Sequence, residues 1–198
     1  MTKGEATRER IVDLAFKLSS RDGLAGLSLG KLANELGVSK SGLFAHFRSK
    51  DELELEVLKA AQDRFIEAVL KPAFKAPRGL PRLRKLLSLW LGWLSDPARP
   101  GGCLFLAASI ELDDEAEGPQ RDFVVSVQQN LLSTLSKAAH LAVGEGHLAE
   151  DTDCDQLAFE MLGIAHAYHH LKRLLRDPRA EARSRAAFEH LLDSRRPR

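Results

Sequence analysis

No apolar run in this chain of 198 residues approaches the roughly 20 residues that a membrane-spanning helix needs. The opening MTKGEATRER carries no apolar segment of the kind that marks a secretory signal. Cysteine is scarce: Cys103 and Cys154 are the only two, which argues against a disulfide framework and for a reducing, cytoplasmic setting, while the missing apolar run argues against a membrane partner. β-Branched residues are sparse and every long segment shows helical spacing, so no strand is expected. Absent too are internal repeats, low-complexity linkers, a nucleophile elbow, a phosphate loop and paired catalytic carboxylates. An enzyme is therefore not expected, and nothing in the sequence calls for a cofactor.

What the chain does contain is an uneven charge. The formal net charge is +1, yet residues 1–50 hold nine Lys or Arg against five acids, a local +4 that leaves −3 for the remainder. A basic head on a mildly acidic body suits a nucleic-acid contact confined to the N-terminus. A hydrophobic content of 44% is ample for a buried core, and 29% charged residues give it a polar surface.

The head has a readable local grammar. Ser28 can cap a short helix whose apolar face is Leu29, Leu32, Ala33 and Leu36. Gly37 stands where a helix ends in a left-handed residue, and Val38 plugs the turn. Ser39 offers a second cap, for a helix made of Lys40, Ser41, Gly42, Leu43, Phe44, Ala45 and His46. The small Ala33 lets the two helices approach at a steep angle. Two such helices around a glycine turn form a helix-turn-helix, which places one helix in the DNA major groove.

Around this pair the spacing predicts an all-α chain of about nine helices. A first helix runs from about Gly4 to Arg21 with Ile11, Leu14, Ala15 and Leu18 inward, and Asp22-Gly23 ends it. Ser49 caps a long fourth helix from Lys50 to about Leu70, with Leu53, Val57, Ala61, Phe65 and Val69 on one face. Pro72, Pro77, Gly79 and Pro81 are expected to break it. A fifth helix, 80–94, is apolar around most of its circumference and should be central. Helices are expected over 103–112, from Pro119 to about Gly144, from a cap at Asp151 or Thr152 to Leu175, and from Asp177-Pro178 onward. This divides the chain into residues 1–50, a three-helix head with the helix-turn-helix, and 51–198, a larger helical body, which the family resemblance described next implies to be a ligand-binding and dimerisation domain.

The stretch LGKLANELGVSKSGLFAHF with its immediate SKDEL continuation resembles the TetR family of bacterial transcription regulators, over roughly residues 7–54. Past that point the likeness is one of helical layout. The resemblance implies roles for particular residues. Ser39, Lys40, Ser41 and Gly42 would face base edges or nearby phosphates, with Gly42 leaving room for close approach. Phe44 stands where the family has Tyr, so a phenolic contact to phosphate is missing, while apolar contact to a sugar or thymine methyl remains open. His46 and Lys50 match phosphate contacts, Ser28 opens a helix N-terminus toward phosphate, and Lys3 would track the backbone from an arm. The resemblance further implies a homodimer on double-stranded palindromic operator DNA, with a small-molecule effector that releases a repressor. An activator on the same scaffold is the alternative.

In the body, Phe65, Trp90, Trp93, Phe105, Phe123 and Met161 either wall a pocket for a lipophilic or aromatic effector or form plain core. His166, at i of an i, i+3, i+4 set with His169 and His170, can supply a polar group to that pocket; the three can also bind a metal, giving a metal or redox sensor, or line a dimer seam. The expectation is that no metal is held. The acidic stretch 111–117 lacks calcium-loop spacing and reads as a solvated turn, and Cys103 as a small core residue. Leu157, Ile164, Tyr168, Leu171, Phe188 and Leu191 are the candidates for a four-helix dimer seam.

Overall fold

A computed structural model describes residues 3–99, 101–114 and 117–197, with side chains from residue 4 onward. Among these residues every regular element is helical: α1 (Lys3–Asp22), α2 (Leu29–Leu36), α3 (Lys40–Phe44), α4 (Lys50–Phe65), a π-helical turn (Ile66–Leu70), α5 (Lys71–Phe74), α6 (Leu80–Ser95), α7 (Leu104–Glu111), α8 (Pro119–Gly144), α9 (Cys154–Arg173) and α10 (Ala180–Asp193). With residues 50–74 counted as one rod, the described residues form nine helices. None is long and apolar enough to cross a membrane.

The caps work as the side chains dictate. Ser28 accepts from the Lys31 N–H, and Ser39 from the Gly42 N–H at 3.0 Å. Gly37 ends α2 at φ 67°, where an L side chain is strained. Ser49 accepts from the Glu52 N–H at 3.1 Å, while the Glu52 carboxylate reaches back to the Arg48 N–H at 2.9 Å, a capping box displaced by one residue. For α9 the cap is Asp153, accepting from the Gln156 N–H at 2.9 Å, and not Asp151 or Thr152 as expected. The aspartate adjacent to the first turn has the shorter reach to N3.

The fourth helix does not stop at Pro72. A π turn precedes it, in which the Lys71 N–H bonds to the Ile66 carbonyl, five residues back. A proline inside a regular helix removes one hydrogen bond and collides with the carbonyl four residues earlier. The widened turn shifts those carbonyls, so the rod carries Pro72 in α5 and ends only after Phe74. Pro81 lies in the first turn of α6, which covers the 80–94 segment expected from the sequence.

Two compact units emerge, each with its own core. One comprises the chain through Arg64 together with Pro97–Ser126; the other comprises Phe65–Asp96 and the chain from Val127 onward. In the first, Ile11, Ala15, Leu32, Leu43, Phe47, Leu53 and Val57 are buried. In the second, α6 is central: Leu83, Leu86, Leu87, Trp90, Leu91, Trp93 and Leu94 are all buried. There α9 packs on both α6 and α10, and a bidentate Arg84–Glu189 pair at 2.6 to 3.1 Å ties α6 to α10.

Candidate nucleic-acid interface

Burial sorts the head into a core side and an open side. Leu32, Ala33, Leu43 and Phe47 are buried and lock α2 onto α3. Ser28, Ser39, Lys40, Ser41 and Phe44 are exposed, and Gly42, His46 and Lys50 are half-exposed. The short recognition helix thus turns two serines, a lysine and an aromatic ring toward solvent. Phe44 is 50% exposed, far more than an aromatic that serves the core. The Lys3 side chain lies outside the described residues.

Gly42 has space around it. A Cβ there would lie 3.4 Å from Ser39 Oγ and 3.7 Å from Val38 Cβ, ordinary contact distances, so the fold itself does not demand glycine. Gly30 differs: its missing Cβ would sit 3.2 Å from Lys40 Cε, so the Lys40 chain lies across the start of α2. Ser39 and Ser41 hydroxyls share a 2.9 Å hydrogen bond. Lys50 Nζ stands 3.2 Å from Glu54, an i, i+4 pair in which the lysine is partly open to solvent and the carboxylate largely covered.

Charged groups behind the face hold it in place. Arg8 on α1 stacks over Phe47 at 4.4 Å, donates to the His46 carbonyl at 2.8 Å, and pairs with Glu52 and Glu56 at 3.6 and 3.3 Å. One guanidinium thus fastens α1 to the end of the helix-turn-helix and to α4. Arg8 escaped the sequence reading because no local spacing announces a partner 38 residues away. The hydrogen bond from the Arg48 N–H, with that residue's guanidinium, lowers the Glu52 pKa. Asp22, held by Arg21 and Lys31, is pushed well below the usual carboxylate range.

In the body the expected ligand residues divide. Phe65 meets Trp90 and Trp93 edge-on at centroid distances of 6.2 and 5.5 Å, one aromatic cluster in the second unit. Met161 is fully buried in that unit. Phe105 and Phe123 belong to the first unit. His166 does not point into a core; it is exposed on α9, although desolvation by its surroundings lowers its imidazole pKa. The helical turn carries it to the face opposite Leu157, Met161 and Tyr168. Among the described residues no three His, Cys, Asp or Glu side chains are placed together to hold a metal ion. Cys103 is buried, and burial foremost raises the Cys154 thiol pKa.

The expected dimer set also needs correcting. Leu157, Tyr168 and Phe188 are buried at 0, 1 and 1% exposure in their own protomer, where they cannot face a second copy. Ile164, Leu171 and Leu191 are half-exposed at the edge of that core. The open apolar group on α9 is Phe159, at 63% exposure, with Gly163 and Ala167 one and two turns on. Helical spacing from Leu157 places Phe159 on the far side, so this residue was within reach of the sequence.

The description "Tetracyclin repressor-like, C-terminal domain" matches residues 79–188, more than half of the chain, and "Bacterial regulatory proteins, tetR family" matches residues 11–57. The chain belongs to the TetR family. It carries the family's helix-turn-helix and is a TetR-family transcription regulator. The HTH-type transcriptional regulator AcrR of Shigella flexneri is 35% identical over 89 residues, 43% of this chain and 41% of that protein. The chain thus matches about two fifths of that relative's length. A TetR transcriptional regulator from Chloroflexus aurantiacus superposes with a TM-score of 0.85 at 25% identity, over 98% of this chain and 96% of its own. AibR, solved in complex with isovaleryl coenzyme A and operator DNA, superposes with a TM-score of 0.74 at 20% identity, over 93% of this chain and 97% of its own.

Proposed function

We propose that this TetR-family chain is a cytoplasmic, homodimeric repressor that leaves a palindromic operator when a small molecule binds its body. The single observation that carries the reading is the outward face of α3: Ser39, Lys40, Ser41 and half-exposed Phe44, beside a glycine that the fold does not require. Residues 1–50 read DNA. Ser39, Lys40, Ser41 and Gly42 meet base edges or phosphate, Phe44 makes apolar contact, and Ser28, His46 and Lys50 meet phosphate, with Lys3 following from the N-terminal end of α1. Residues 51–198 bind the effector and dimerise. A lipophilic or aromatic effector suits the Phe65, Trp90 and Trp93 cluster. That AibR takes an acyl coenzyme A and operator DNA on the same fold supports such a pairing of effector and DNA.

Effector binding acts through differential affinity: a molecule that prefers the body conformation of the DNA-free state shifts the population away from the operator by that preference and no more. The test is a footprint on DNA upstream of the chain's own gene. The double variant Lys40→Ala/Lys50→Ala should shrink the salt dependence by about two phosphate contacts and weaken binding while sedimentation stays that of a dimer. Unchanged affinity in this variant sinks the site assignment.

A further inference from the structure

Residues 97–126 sit inside the same compact unit as the DNA reader, although they lie far along the chain. Three contacts seat them there. Gly101 lies so close to α1 that a Cβ would fall 1.0 Å from the Ser20 carbonyl oxygen. Glu111, the last residue of α7, accepts the Ala25 N–H at 2.9 Å, and its carboxylate fills the space beside Gly23, whose φ is 81°. Gln120, in the first turn of α8, donates to the Asp51 carbonyl at 3.4 Å and to the Glu54 carboxylate at 3.3 Å.

These contacts are not scattered. Ala25 belongs to the loop that feeds α2, the first helix of the helix-turn-helix. Asp51 and Glu54 lie in the opening turns of α4, and Glu54 also pairs with Lys50 at 3.2 Å. Glu111 and Gln120 therefore grip the reader at its entry and at its exit. Helix α8 then continues out of this unit after Ser126, so its far half is built into the other one.

We propose that Glu111 and Gln120 are positioning residues for DNA binding, a two-point clamp that holds the helix-turn-helix in its DNA-competent setting. The inference rests on the regulator reading above. Without the clamp the loop and α4 sample other settings, and apparent affinity falls with the competent fraction. Glu111 supplies an acceptor to a backbone amide, which a glutamine carbonyl can replace. Gln120 supplies a donor to two oxygens, which a lysine ammonium can replace.

The test uses the intact protein and a duplex selected from a random-sequence pool by the wild type. Affinity is measured for Glu111→Ala, Gln120→Ala, Glu111→Gln and Gln120→Lys, alongside thermal melting of each variant. Each alanine variant is expected to bind about three- to tenfold more weakly, the worth of one or two hydrogen bonds. Both conservative variants are expected to bind within about twofold of wild type. Gln120→Ala carries the test should Glu111→Ala melt early, since the Gln120 bond to the Asp51 carbonyl is exposed and its bond to Glu54 only part-buried. Wild-type affinity in the alanine variants overturns the clamp, as does equal weakening in the conservative ones. Failure of the regulator reading shows separately, because the wild type then selects no sequence at all.

Discussion

Gly42 and Phe44 separate what a residue does for the fold from what it does for DNA. A Cβ at Gly42 meets nothing nearer than 3.4 Å, so Gly42→Ala should gain about 0.5–1 kcal/mol of helix stability. The same methyl stands on the face offered to DNA, so operator affinity should fall while the melting temperature rises. A variant that gains stability and keeps its affinity removes Gly42 from the interface. Phe44, half-exposed one helical position beyond buried Leu43, makes the complementary case. Phe44→Ala should change stability by less than about 0.5 kcal/mol, whereas Leu43→Ala should cost about 2–5 kcal/mol. DNA binding should weaken in Phe44→Ala with the fold intact, and Phe44→Tyr should bind at least as well as wild type by restoring a phenolic donor. Melting curves read beside DNA titrations decide both, and equal DNA affinity in Phe44→Ala would remove that ring from the contact set.

At the scale of elements, local chemistry reaches far but not everywhere. Ser28, Gly37, Ser39 and Ser49 were legible as punctuation because capping depends on three or four adjacent residues. The π turn at Ile66–Leu70 was not, since Pro72 by itself signals a break, and only a continuous packed rod makes the widened turn the lower-energy answer. Glu52 shows the electrostatic side of a cap. Its pKa is lowered by the Arg48 N–H and guanidinium, and that of Asp22 by Arg21 and Lys31. Glu56 is lowered as well: desolvation opposes, and the hydrogen bonds from Lys59 and Arg8 outweigh it. Carboxylates with folded pKa values below the unfolded ones bind fewer protons when folded, so their stabilisation is complete above about pH 5 and lost progressively on further acidification. The unit that carries the reader should therefore melt at lower temperature as pH falls from 5 toward 3. Glu52→Gln should flatten that slope, and a slope equal to wild type would remove Glu52 as a contributor.

For the whole molecule, the sequence pointed to the correct helices and to several wrong residues. An apolar pair of C-terminal helices is visible from spacing, but which of its two sides faces its own body depends on packing against α6, a segment some 70 residues earlier. Buried Leu157, Tyr168 and Phe188 serve that body, and exposed Phe159, Gly163 and Ala167 are the α9 residues we propose for the dimer seam. A large ring beside two small residues gives one helix a knob and its mate a hollow, the complementarity that a two-fold seam requires. Phe159→Glu sets two like charges near the axis without disturbing either core. It should therefore yield a folded monomer, seen as half the mass in sedimentation with an unchanged helical spectrum. Leu157→Ala, by contrast, should cost about 2–5 kcal/mol of stability by opening a cavity in the protomer. DNA binding couples to this through effective concentration: two heads on one dimer bind as a linked pair, so separating them should weaken operator binding by about 10² or more. If Phe159→Glu stays dimeric at micromolar concentration, the seam lies elsewhere, and the exposed leucines at Leu174 and Leu175 are the next face to change.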